Sequence, residues 1–171
     1  MTDPSPTPTP VHQVRRSQSP LTNGTWVLVA DGQKALFLEN VGDAELPLLE
    51  VRREEHHDNP ATSEQGTDRP GRRSDGMSGH RSAMEETDWH RLEEERFAEG
   101  LAEMLYVRAH RGRFSRLIVA AGPRVLGELR RAMHKEVADR VVGEVALTLT
   151  NHPVDEMARR IAAALVPPEA E

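Results

Sequence analysis

The sequence contains no cysteine, which excludes disulfides, thiolate metal sites and thiol nucleophiles together. Aromatics make up 4% of its 171 residues, so reading a nucleic-acid strand by stacking successive bases on exposed rings is a mode it is poorly equipped for. Lysine is scarce too. Of the 22 basic residues only Lys34 and Lys135 are lysines, and the rest of the positive charge sits on arginine, whose planar fork can hold a phosphate by two parallel bonds. No apolar run approaches the roughly 20 residues that span a bilayer. The opening stretch, MTDPSPTPTPVHQVRRSQSP, lacks the apolar core of a secretory signal. These absences set the expectation of a cytoplasmic chain without membrane insertion. Catalytic signatures are missing as well: there is no GxGxxG or Walker-type loop and no GxSxG elbow. His56-His57-Asp58 lacks HxxxH or HxH spacing and reads as a solvated loop start, so neither a metal nor a cofactor is expected. Glu93, Glu94 and Glu95 read as a wet helix face rather than an acid–base pair. The chain is therefore expected not to be an enzyme. With a net charge of −6, any attraction to nucleic acid has to be local.

What is present is a legible order of elements. Residues 1–23 hold five prolines among Ser, Thr and Gln, and read as a disordered tail. From there to residue 166 the chain reads as a single α/β domain, followed by a short tail at 167–171. The run TWVLVA predicts a strand, Asp31-Gly32 a tight hairpin turn with both positions able to take positive φ, and KALFLEN the returning strand. Asn40 to Asp43 predicts a second turn, and ELPLLEVRR a third strand that Pro47 confines to a sheet edge or to a start after the proline. From Glu54 to Glu86 no periodicity survives, and the segment reads as a long loop.

Thr87 or Asp88 can then cap a long helix, with Phe97, Leu101, Met104 and Leu105 on one face and an end near Gly112. The continuous apolar run from Leu117 to Ala121 predicts a strand buried on both faces. A helix begins at Pro123 and carries Leu126, Leu129, Met133 and Val137. Val141 to Thr148 predicts another strand, and Val154, Met157, Ile161 and Leu165 mark the inner stripe of a last helix. The expectation is an α/β fold with a five-stranded mixed sheet: an antiparallel three-strand meander, then strand, helix, strand, helix, with a long loop before the first helix.

Two places could bind anions. Between Arg69 and Arg81 lie four arginines (Arg69, Arg72, Arg73 and Arg81), His80 and one acid, Asp75, giving a local excess of about three positive charges on an acidic chain. The glycines there let the backbone come close to a ligand, so Arg69, Arg72, Arg73, His80 and Arg81 are the candidate phosphate- or nucleic-acid-binding residues. The weaker candidate is Gly122 with Arg124, at the end of a buried strand and the start of a helix, where α/β sheets favour ligands.

Several segments carry a resemblance: TWVLVADGQKALFLE, TDRPGR, HRSAMEETDWHRLEEERFAEGLAEML, LIVAAGPRVLGELR and LTNHPVDEMARRI. In order and spacing they resemble the bacterial host attachment proteins, a family similar in fold to the middle domain of archaeal and eukaryotic peptide-chain release factors. The first name implies a non-catalytic binding protein that attaches a bacterium to a host surface. The second implies an RNA- or ribosome-associated module. In the release-factor domain a Gly-Gly-Gln loop precedes a long helix; here Gly79-His80-Arg81-Ser82-Ala83 stands in that place, without the paired glycine and without the glutamine. Peptidyl-tRNA hydrolysis therefore does not follow from the resemblance.

Overall fold

The computed structural model describes residues 19–57 and 79–165. Its elements are β1 (Trp26–Ala30), β2 (Lys34–Asn40), β3 (Leu49–His56), α1 (Gly79–His110), β4 (Leu117–Ala121), α2 (Pro123–Ala132), α3 (Lys135–Ala138), β5 (Val141–Val145) and α4 (Val154–Leu165). The strands form one five-stranded sheet in the order β3-β2-β1-β4-β5. The three N-terminal strands pair antiparallel, whereas β1 with β4 and β4 with β5 are parallel. This is the mixed sheet the sequence predicts.

Alternation along the strands splits the core into two layers, because successive side chains leave opposite faces of a sheet. Trp26, Leu28, Ala30, Phe37, Leu117, Val119 and Ala121 face α1, α2 and α3, where Phe97, Leu101, Leu105, Leu126, Leu129 and Val137 meet them. Val27, Val29, Leu36, Leu38, Ile118 and Ala120 face α4 and its Met157, Ala158 and Ile161. Every residue of β1 and of β4 is buried, as a strand covered on both faces must be. Removing a side chain of that size from water contributes about 1.5–3 kcal/mol each.

The sheet edge differs. β3 begins at Leu49, after Pro47, and is the outermost strand. It continues to His56, beyond the predicted loop start at Glu54, because Leu36, Ala35 and Lys34 pair with Glu54, Glu55 and His56. Its outward residues are charged, so the sequence shows no alternation there; the ladder and a Lys34–Glu54 ion pair at 3.5 Å hold it. Residues 19–23 likewise belong to the folded unit and not to the tail. Leu21 is fully buried, and the amide of the buried Asn40 donates to its carbonyl at 3.0 Å.

Three more expectations change. α1 starts at Gly79, about two turns before Thr87, because Ser82 to Glu86 contains only residues that continue a helix. The helix predicted to run past Met133 breaks there: Met133 is extended, His134 stacks on Tyr106 at 4.2 Å, and α3 delivers Val137 to the core. β5 ends at Val145 rather than Thr148. The Asp31-Gly32 hairpin forms, but no non-glycine residue and, among glycines, only Gly24 and Gly112 take positive φ among the described residues. The turn is held instead by the Asp31 carboxylate, which accepts from the backbone N–H groups of Gln33 and Lys34 at 2.7 Å each.

Candidate nucleic-acid interface

α1 is 32 residues long, about 48 Å from end to end, and it dominates one face of the sheet. Its first turn contains His80 and Arg81, which the sequence reading placed in the preceding loop. The other members of that basic cluster, Arg69, Arg72 and Arg73, lie outside the described residues, as does Asp58.

Further along the helix Glu93 and Glu94 are not the wet face expected of them but tie α1 to its neighbours, whereas Glu95 pairs within its own helix and stays partly exposed to water. Glu93 accepts from His57 at 2.7 Å and from Arg96 at 2.8 Å, and the His57 ring packs on Phe97 with centroids 5.5 Å apart. The hydrogen bond from His57 holds the Glu93 carboxyl below its ordinary range, against a smaller opposing effect of burial. Glu94 pairs with Arg124 of α2 at 3.1 Å and fills the space over Gly32, where a Cβ would stand 2.9 Å from its Cγ. Gly32 therefore serves close approach rather than turn geometry. Glu95 pairs with Arg91 at 3.5 Å. His56 and His57 take different carboxylates, Glu54 and Glu93.

Gly122 and Arg124 do sit at the junction of β4 and α2, with Gly122 as the residue before Pro123. Arg124 is matched there by Glu94 and, at 3.5 Å, by the buried Glu128, so an arriving anion would have to displace a carboxylate. Gly122 is closely overlain, since an added Cβ would lie 3.0 Å from the Thr148 hydroxyl.

The far end of α1 carries arginines that the sequence reading passed over. The helix stops in a Schellman arrangement: Gly112 has φ +70°, its N–H reaches the Ala109 carbonyl at 3.0 Å, and that of Arg113 reaches the Arg108 carbonyl at 2.9 Å. Arg140 clamps this end by donating to the carbonyls of Ala109 and Phe114 at 2.7 Å each. Beside it opens a groove of about 1060 Å³ between α1 and the β2–β3 edge, lined by Arg52, Arg53, Arg108, Arg111 and Arg113 with Trp26. Burial, with Arg53, Arg111 and Arg113 nearby, lowers the affinity of the Arg108 guanidinium for its proton, while Glu55 works the other way. The doublet at 52–53 and the R-x-x-R-x-R run at 108–113 were the available signals. They are distant in sequence, and only the fold joins them.

With that geometry in view, comparison with known proteins is decisive on kinship. Residues 24–161 match the family described as Bacterial archaeo-eukaryotic release factor family 12. The chain belongs to that family. The match supports the release-factor side of the resemblance and gives none to attachment to host cells. No curated protein matches the chain. Among solved structures, a chain described as "Archaeal protein" is similar over 80% of this chain and 36% of its own length, at 14% identity and a TM-score of 0.40. This chain thus spans about a third of that protein. Among the described residues of this release-factor family member, no helix is long and apolar enough to cross a membrane.

Proposed function

We propose that this protein is a non-catalytic RNA-binding module that associates with the ribosome. The observation that carries the reading is the family match over residues 24–161, which covers most of the folded unit and the basic segment that runs into the first turn of α1. Within that segment Arg69, Arg72, Arg73 and Arg81 outnumber Asp75, a local surplus of cation on a protein of net charge −6. Such a surplus suits phosphate contact, which positions a protein on RNA without reading its sequence. Hydrolysis of peptidyl-tRNA is not part of the proposal, because Gly79-His80-Arg81 offers no glutamine where the release-factor loop carries one. Attachment to a host surface has no observation in its favour.

Sucrose-gradient sedimentation of a cell extract, with and without nuclease, tests this directly. The protein should travel with ribosomal particles and return to the top of the gradient after nuclease. Replacing Arg69, Arg72, Arg73 and Arg81 with alanine should weaken that association and flatten its salt dependence. Sedimentation as free protein under every condition would contradict the reading.

A further inference from the structure

The groove at the C-terminal end of α1 is a different surface from the basic segment at the helix's N-terminal end. Five arginines line it against two carboxylates: Glu39, which pairs within the groove, and Glu103, which pairs outside it. Glu39 holds Arg52 at 2.9 Å, and Glu103 accepts from His134 at 2.9 Å. Arg53 is paired with Glu55, outside the groove lining. Arg108 lies 4.8 Å over the Phe37 ring and donates to its own helix at the Met104 carbonyl, which fixes its fork without neutralising it. Arg111 and Arg113 have no side-chain hydrogen bond or ion pair among the described residues.

A second observation is independent of charge. Trp26, 7% exposed, lines the same groove, and its indole N–H is buried without an acceptor among the described residues. A buried donor without an acceptor is unfavourable, and this one lies within the groove wall, out of reach of solvent. The groove thus offers cation in excess: the exposed, unpaired guanidiniums of Arg111 and Arg113 and the remaining edge of Arg108, with Trp26 in the lining beside them. At about 1060 Å³ the space lies at or above the upper end of the roughly 300–1,000 Å³ typical of small-molecule pockets, and it is open to solvent. Met104 and the half-exposed Val107 give it an apolar strip beside the arginines.

We infer that this groove binds the phosphodiester backbone of a single-stranded RNA segment, with Arg108, Arg111 and Arg113 on successive phosphates and the apolar strip against a base or sugar. Arginine forks suit phosphate oxygens, and a polymer with regularly spaced charge matches several arginines better than one small anion does. The inference takes the identity of the polymer from the proposed RNA reading, while its anion chemistry rests on the groove alone.

The test uses the full chain with Trp89→Phe, which leaves Trp26 as the sole tryptophan and so a reporter inside the groove. A fluorescein-labelled 12-nucleotide RNA is titrated at several salt concentrations, with adenosine monophosphate, inorganic phosphate and poly-glutamate as competitors. The expected result is RNA binding that shifts Trp26 emission and that none of the three competitors matches, phosphate for phosphate or charge for charge. Arg111→Ala with Arg113→Ala should reduce affinity at least tenfold. It should also lower the log–log salt slope by about 1.4, from roughly 0.7 per lost single-strand phosphate contact. Arg113→Gln alone should lie between. Arg72→Ala with Arg73→Ala should keep the Trp26 response. Unchanged affinity in the Arg111/Arg113 variant at an unchanged melting temperature overturns the inference, as does equal competition by phosphate or poly-glutamate. If the oligonucleotide binds the groove but the protein never sediments with ribosomes, the ribosome reading fails and the groove stands.

Discussion

The two halves of α1 are both rich in charge, yet they use it differently. In the N-terminal half, Glu93, Glu94 and Glu95 each have a partner, and two of them tie the helix to the β3 exit and to α2. Just past the C-terminal half, Arg111 and Arg113 have none among the described residues, and they line one groove with Trp26, whose buried indole N–H also lacks one. Charge density alone would rank the halves together. What separates them is whether the fold completes the interaction: the paired carboxylates hold structure, and the exposed arginines are left open to a ligand.

The largest effect should come from the part of the helix both halves share. Leu101, 1% exposed at the centre of the α1 layer, should destabilise the protein by about 2–5 kcal/mol when replaced by alanine, measured by urea unfolding. A loss below 1 kcal/mol would mean that α1 is not packed as described, and the contrast between its ends would lose its basis. Nearly as large should be Gly42→Ala, on the order of 3 kcal/mol by the same assay, since the new Cβ would lie 2.3 Å from the Leu46 carbonyl oxygen, a backbone atom.

How much of this was legible in the sequence follows from the same physics. β1 and β4 declare themselves because burial on both faces demands apolar residues throughout. The last three residues of β3 do not, because its outward face lies in water and its ladder is backbone chemistry that leaves no mark on side-chain type. The start of α1 was read two turns late: Thr87 and Asp88 look like caps, but nothing before them in Ser82–Glu86 ends a helix. Gly32 was visible as a turn residue while its actual constraint, Glu94, lies far along the chain. The arginine groove was hidden for that reason too, since Arg52 and Arg53 meet Arg108, Arg111 and Arg113 only after folding.

Acid should act first on the paired carboxylates with lowered pKa, of which Glu93 is the one on α1. Glu93 is held below its ordinary pKa of 4.5 chiefly by His57, and Glu54 chiefly by His56; Glu144 and Glu156 are lowered by Arg130 and Arg160. A depressed carboxyl contributes stability that is complete above 4.5 and disappears as pH falls through its lower folded value. Melting temperature should thus hold between pH 7 and 5 and drop below about 4.5, and Glu93→Gln should shrink that drop. An identical acid profile in the variant would remove Glu93 from the account. The smallest effect is expected at Gly32→Ala, because the obstructing Glu94 carboxylate chain can swing aside; a shift in stability beyond about 0.5 kcal/mol would mean that the hairpin holds Glu94 rigidly.

The contrast between the two ends is tested most directly by measuring melting temperature and 12-nucleotide RNA affinity together on two double variants. Glu93→Gln with Glu94→Gln should lower the melting temperature and leave RNA affinity within about twofold, a change of roughly 0.4 kcal/mol. Arg111→Ala with Arg113→Ala should leave stability within about 0.5 kcal/mol and weaken RNA binding at least tenfold. If the arginine pair instead lowers the melting temperature and spares RNA affinity, the groove is a structural feature and its unpaired donors await nothing.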